Sequence, residues 1–426
     1  MDNNDKWYKL DHAGKLFPSV TDTTNTSTFR MSMILDRFID PMTLQEAVDK
    51  VIVRFPTLAV KLDSGLFWRY LVPNPNRLIA QKEVTYPCAP INAKDNNGYL
   101  LKVLYFENKI SIEVFHALTD GSGAIEFLKT LVYQYLILTG VKIHDDEGLI
   151  LQPDSFPSRS EAQNSFDAYY ISKPVKKIKQ NRALHIQGTR FLPYGHNVIH
   201  GFMSASQLNR IAKDSGVTIN TYLIAILIMA VQMARLPGGR QSPIIVAVPV
   251  NLRNIFKSKS LRNFYAVVNI EVDMTPEMAL TDLFVEVTNQ IQEKTTRENL
   301  EDIIAENMRF EKNPASRFTP MGIKDVAIKT GFDHWGENRK TITLTNVGKI
   351  MLPSDMMAHT KAMETTIYPT TKSPVNCAVC SLGDELAVTF ARNIMESEVI
   401  REFFRILVNH SGLEVHVVSN DWGVSS

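Results

Sequence analysis

His116 and Asp120, four residues apart, are the pair in this sequence best suited to moving a proton. They lie in His116-Ala-Leu-Thr-Asp120-Gly121-Ser122-Gly123. Imidazole titrates near neutral pH and can act as a general base. A neighbouring carboxylate can brace such a base or cap a helix. The turn alone leaves two readings open. In one, His116 is a base and Asp120 its structural brace. In the other, Asp120 is a cap and backbone groups satisfy His116.

The flanking stretches must position this turn. Before it, Ile110, Ile112 and Val114 alternate with Ser111, Glu113 and Phe115, the period of a half-buried strand. After it, Ala124, Phe127, Leu128, Leu131, Tyr135 and Leu138 recur three and four apart, as on an amphipathic helix. A strand–turn–helix junction holds a side chain rigidly while letting it face a cavity. Gly121 and Gly123 are expected to let the backbone turn sharply, with Asp120 or Ser122 capping the helix.

Around this centre, residues 29–38, 67–72 and 99–106 read as strands and 41–55 as a helix. Residues 7–18 read as mixed aromatic and turn residues. Residues 153–182 are rich in Ser, Pro and Lys, which predicts a crossover linker and two halves, 1–182 and 183–426. The second half repeats the style of the first. Strands are expected at 197–203, 244–250, 264–272, 342–344, 363–368, 375–379, 386–390 and 414–418. Helices are expected around Leu208 and Ala212, from a Thr218 cap through Ala234, and over 275–295 and 396–408.

The chain has 426 residues, 44% hydrophobic and 21% charged, with net charge +1. That balance predicts an ordinary globular protein of two domains, with no nucleic-acid surface. No N-terminal signal is visible, and the apolar run 222–234 is too short to span a bilayer. Three cysteines make no disulfide framework, so a cytoplasmic location is expected.

Other chemistry finds little support. His196 and His200 are spaced for a metal on a helix, but Val198 and Ile199 favour a strand, so no metal is expected. Cys377 and Cys380 fall on opposite faces of a strand and read as inert thiols. No G-x-S-x-G, G-x-G-x-x-G or P-loop is present. Lys173, Lys176, Lys177 and Lys179 read as a solvated linker.

Two distant stretches bear on the central turn. Arg253 follows the strand 244–250 and is either solvated or a partner for Asp120. Thr343, Thr345 and Asn346 precede Gly348, either as a turn or as donors for a developing oxyanion.

Four segments together resemble the superfamily of CoA-dependent acyltransferases, which includes chloramphenicol acetyltransferase, condensation domains, plant acyltransferases and alcohol acetyltransferases. They are H-x-x-x-D-G at His116–Gly121; Gly216-Val-Thr-Ile-Asn220; Val248-Pro-Val-Asn-Leu-Arg253 with Arg262-Asn263-Phe264; and Thr345-Asn346-Val-Gly348. The opening Lys9-Leu-Asp-His-Ala-Gly-Lys-Leu-Phe-Pro18 is most similar to the alcohol acetyltransferase-like branch. Phe115 stands where condensation domains carry a first histidine, and the D-F-G-W-G of the plant branch is absent.

The resemblance implies two α/β subdomains, each a mixed sheet with flanking helices, around a central tunnel. His116 would be the general base, and Asp120, Gly121 and Arg253 the brace of its loop. Thr343, Thr345 and Asn346 would be candidate oxyanion donors. The implied reaction moves a short acyl group, such as acetyl, from acyl-CoA to the hydroxyl of a small alcohol. CoA is a co-substrate, with no bound cofactor and no metal. The alternatives are N-acyl transfer from a carrier-protein thioester and a non-catalytic relative that binds acyl or pantetheine groups.

Overall fold

The computed structural model describes residues 7–174, 181–235, 242–275, 277–313, 316, 318–420 and 422. Its first part contains β1 (Tyr8–Lys9), α1 (His12–Val20), β2 (Thr28–Leu35), α2 (Pro41–Ile52), β3 (Val60–Ser64), β4 (Arg69–Pro73) and β5 (Ala80–Lys82). There follow β6 (Leu101–Phe106), β7 (Lys109–Phe115), α3 (Gly121–Leu138) and the short α4 (Ser165–Tyr169). The second part runs β8 (Asn197–Ser204), α5 (Ala205–Asp214), α6 (Ile219–Met233), β9 (Ile244–Asn251), α7 (Arg253–Phe256) and β10 (Tyr265–Val272). It continues with α8 (Leu280–Lys294), α9 (Arg297–Lys312), α10 (Met321–Gly331), β11 (Ile342–Ile350), α11 (Ser354–Met357), β12 (Thr360–Thr366), β13 (Val375–Leu382), β14 (Glu385–Arg392), α12 (Glu398–Ser411) and β15 (His416–Ser419).

Two mixed sheets carry this two-lobed α/β fold. The first has the order β12-β2-β7-β6-β5, the second β10-β9-β11-β13-β14-β8-β15. Helices α2 and α3 cover the first sheet, and α6, α8 and α12 pack together at the second. α6 is apolar almost all round and correspondingly buried from Thr221 to Ile228. No single helix among the described residues is long and apolar enough to cross a membrane.

The lobes are joined by more than a linker. β12, from the second half of the chain, pairs antiparallel with β2 and so completes the first sheet. β13 serves both cores: Cys377 and Val379 belong to one, Cys380 and Leu382 to the other. The two thiols therefore do point to opposite faces, and burial pushes both far above the ordinary thiol range. A dithiol pair is excluded by that geometry.

Several sequence expectations change. Residues 12–20 form α1, capped by Asp11, whose Oδ1 accepts from the Gly14 amide at 2.7 Å. The helix expected over 275–295 begins only at Leu280. α9 and α10 lie where no helix was expected. Residues 343–348 form no turn: β11 runs through them to Ile350 and absorbs a bulge between Asn346 and Gly348. Thr343 pairs with β9 and the residues from Leu344 to Ile350 with β13, so the segment has ladder partners that make a turn unnecessary.

The stretch 153–174, expected as part of a linker, is anchored through Glu161 and Lys173. Arg54 donates to both carboxylate oxygens of Glu161, at 2.7 and 3.0 Å. Lys173 pairs with Asp302 at 2.6 Å, while Lys176, Lys177 and Lys179 lie outside the described residues.

Candidate active site

The turn between β7 and α3 is built from both lobes. Asp120 is the N-cap of α3, its Oδ1 accepting from the Ser122 and Gly123 amides at 3.1 and 3.3 Å. Its Oδ2 accepts from Arg253 Nη1 and from the Phe264 amide, each at 2.8 Å. Asp120 is thus cap and ion-pair partner together. Arg253 also donates from Nε to the Ser260 carbonyl at 2.7 Å and from Nη2 to that of Arg262. These last two donations end in the loop that leads into β10.

Gly121 and Gly123 do not turn the chain by left-handed backbone; neither has a positive φ. They allow close approach. A Cβ at Gly121 would come within 3.1 Å of Met31 Cε, and one at Gly123 would overlap the Leu261 carbonyl oxygen and the Thr119 hydroxyl. α3 consequently lies directly against the 258–264 loop. The α1 terminus approaches as closely, since a Cβ at Gly14 would meet the Ala117 carbonyl oxygen at 2.8 Å.

His116 sits inside this frame. Phe17 stacks on its ring at 4.5 Å between centroids and 14° between planes, and Phe29 lies at 4.9 Å. Nδ1 is 3.1 Å from Asn263 Oδ1. The Asn263 amide nitrogen donates to the His116 carbonyl at 3.0 Å and to Asp11 Oδ2 at 3.3 Å. Both partners are acceptors, so Oδ1 is the atom turned towards the ring, and Nδ1 must carry the proton. Nε2 then holds the lone pair, and it has no hydrogen-bond partner among the described residues.

Burial lowers the His116 pKa below its usual 6.5, against the opposing pull of Asp120, the residue's own carbonyl, Asn263 and Asp11. The ring is neutral at pH 7. Asp11, fully buried, is raised by its own desolvation, with Arg262 acting in the opposite direction.

His116, Asp120, Gly121 and Arg253 line one cavity of about 1380 Å³, together with Thr343, Thr345 and Asn346. On β11, Thr343 and Thr345 alternate with Leu344, which is buried in the second core. Asn346 Oδ1 accepts from the Gly348 amide at 2.8 Å, so its NH2 remains a donor. Every residue singled out from the sequence as a candidate for the site therefore contributes to this one cavity.

Asn263 and Asp11 were missed as site residues. Asn263 belongs to the Arg262-Asn263-Phe264 segment of the resemblance but carries no role there, and its partner lies 147 positions away. His196 and His200 lie elsewhere: His196 Nδ1 is 3.0 Å from the Pro87 carbonyl, and His200 Nδ1 is 2.9 Å from Thr389 Oγ1. No group of metal-ligating side chains occurs among the described residues.

No protein-family profile matches the sequence, and no curated protein matches it. Solved structures do match, over nearly the whole chain. Polyketide synthase associated protein 5 from Mycobacterium tuberculosis is 14% identical, covers 96% of this chain and 99% of its own, and has a TM-score of 0.61. A mutant starter condensation domain of rhizomide synthetase RzmA in complex with C8-CoA is 14% identical over 96% of this chain and 95% of its own, with a TM-score of 0.59. Trichothecene 15-O-acetyltransferase from Fusarium sporotrichioides is 12% identical over 95% and 94%, with a TM-score of 0.58. The chain has the two-lobed fold of condensation domains and trichothecene acetyltransferases, in keeping with the acyltransferase resemblance of its sequence.

Proposed function

We propose that this protein transfers an acyl group from a CoA thioester to the hydroxyl of an alcohol, with His116 as general base. The observation that carries this is the His116–Asn263 pair: it fixes the proton on Nδ1 and leaves a basic Nε2 at a cavity wide enough for two substrates. The structural likeness to an O-acetyltransferase and to a C8-CoA complex supports both the donor and the acceptor class.

In this reading Nε2 removes the hydroxyl proton as the alcohol oxygen attacks the thioester carbonyl carbon. The carbonyl oxygen gathers negative charge, for which Thr343, Thr345 and the Asn346 amide are the candidate donors. Collapse breaks the C–S bond, and the proton on Nε2 passes to the departing sulfur. The products are an ester and free CoA. Asp120 touches neither substrate and acts as a positioning residue, through Arg253 and the Phe264 amide.

The test is a panel of alcohols and amines with acetyl-CoA, following free thiol by colorimetry and product by mass spectrometry. Ester formed in equal amount to CoA supports the reading. Amide in place of ester moves the assignment to N-acyl transfer. Thiol release that is the same with and without acceptor contradicts transfer altogether.

A further inference from the structure

Part of the cavity lining is aromatic and open to water. Trp7, Phe67, Trp68, Phe332 and Trp335 contribute to it, and the three tryptophans are 58%, 56% and 63% exposed. Leu66, the chain neighbour of Phe67, is exposed as well. Large apolar side chains gathered at the opening of a cavity mark a surface that something apolar covers.

This mouth is a built structure. Trp7 stands just before β1, which pairs with β4; Phe67 and Trp68 come from the tip of the β3–β4 hairpin, and Phe332 and Trp335 from the wide helical turn Phe332–Gly336 that follows α10. The Met321 amide donates to the Leu66 carbonyl at 3.0 Å, and Lys324 Nζ to that of Phe67 at 2.7 Å. Arg69 grips both oxygens of Asp325 at 2.7 Å, and Ser19 Oγ donates to the same carboxylate at 2.7 Å. Hairpin, α10 and α1 are thereby fixed to one another, and the indoles are presented on a set frame.

Size points the same way. Ordinary small-molecule pockets occupy roughly 300–1,000 Å³. At about 1380 Å³ the cavity leaves room beyond a pantetheine arm and a small alcohol.

We propose that the aromatic mouth holds the hydrocarbon body of a substrate, much larger than the small acceptor expected from the sequence. The inference rests on the acyl-transfer reading for the placement of the reactive end at His116. The hydrocarbon has two sources, the acyl chain of the thioester or the carbon skeleton of the alcohol, and the mouth recognises their shared chemistry.

Three of the four tryptophans line the mouth, so their fluorescence reports its occupancy without turnover. Emission is titrated with decanol and decanoyl-CoA against ethanol and acetyl-CoA. In parallel, kcat/KM is measured against alcohol length with acetyl-CoA fixed, and against acyl length with ethanol fixed. The expected result is a saturable emission change with a long probe only, and a kcat/KM that climbs with length in one series, which names the source.

In the double variant Trp68→Ala/Trp335→Ala the long-to-short ratio of kcat/KM falls about tenfold, as expected for two aromatic contacts. Trp335→Phe keeps most of it. Both side chains are more than half exposed, so their removal strips little from the core. A flat length dependence with unresponsive emission, or an unchanged ratio in the double variant, overturns the proposal even if CoA is released. An emission change with long probes but no CoA release from any pair leaves the mouth as assigned and removes acyl transfer.

Discussion

Separating Asp120 from Arg253 is the most informative structural perturbation, because this pair ties the His116 turn to the other lobe. The two atoms are 2.8 Å apart, and the side chains are only 8% and 11% exposed, so water screens them little. Asp120→Asn keeps the size but presents an NH2 either to Arg253 and the Phe264 amide or to the Ser122 and Gly123 amides, all of which are donors. One set of bonds must be lost. A hydrogen bond to a charged group is worth about 1.5–3 kcal/mol, and breaking a buried pair from one side costs about 3–5 kcal/mol. Asp120→Asn should therefore destabilise the protein by about 3 kcal/mol.

Arg253→Met leaves Asp120 with its amide partners but strands the Ser260 and Arg262 carbonyls, for a similar cost. When both are replaced, no charge is left unpaired. Urea unfolding of the two single variants and the double should give a coupling of about 2 kcal/mol. CoA release measured on the same preparations should fall in Asp120→Asn through kcat, with little change in KM for the thioester, because the residue acts on the position of His116 and not on a substrate. Additivity of the two substitutions within about 0.5 kcal/mol, or an Asp120→Asn variant unchanged in both stability and rate, would refute this reasoning.

Further outcomes concern two histidines. Activity requires neutral His116, so kcat/KM should be constant through neutral pH and fall only as the pH drops through a value below 6.5. Asn263→Ala removes a bond that favours the charged ring and frees the tautomer, so the acid limb should move to still lower pH and the plateau drop about tenfold or more; a limb unmoved in the profile would contradict the pairing. His196 is held at about 4 by burial. The unfolded chain takes up this proton near 6.5 and the folded one only near 4, so its contribution is fully present above 6.5 and is lost as pH falls from 6.5 to 4. The loss amounts to roughly 3 kcal/mol. Urea midpoints across that range should fall, and less steeply in His196→Gln.

What was legible beforehand was local. The change from period two to periods of three and four between Phe115 and Ala124 locates β7, the turn and α3, because side chains repeat with the period of the backbone that carries them; the half-buried strand expected there is instead buried on both faces, with Glu113 enclosed and paired with Arg30 at 2.8 Å. The opposite orientations of Cys377 and Cys380 follow from the same rule. α1 was obscured by Pro18, which lies inside the helix, has no N–H to give the Gly14 carbonyl and so reads in the sequence as a helix breaker. α10 buries no residue, so no core contact marks it; its ties to Arg69, Ser19 and Leu66 are polar and come from remote segments.

The site was legible only in part. Asp120 and Arg253 are recognisable as a complementary pair by charge, whereas the Arg262-Asn263-Phe264 segment does not reveal that Asn263 meets His116 until folding brings them together. The place of β12 in the first sheet is likewise a tertiary choice that no short stretch of sequence records.

The central claim is that His116 is the base. The direct test is His116→Ala beside the native protein, with acetyl-CoA binding measured by calorimetry and acceptor-dependent thiol release measured on the same samples. The account predicts unchanged binding in a variant that still folds cooperatively, with release reduced about 10²–10⁴-fold. Release that continues at the native rate in a folded variant would contradict it.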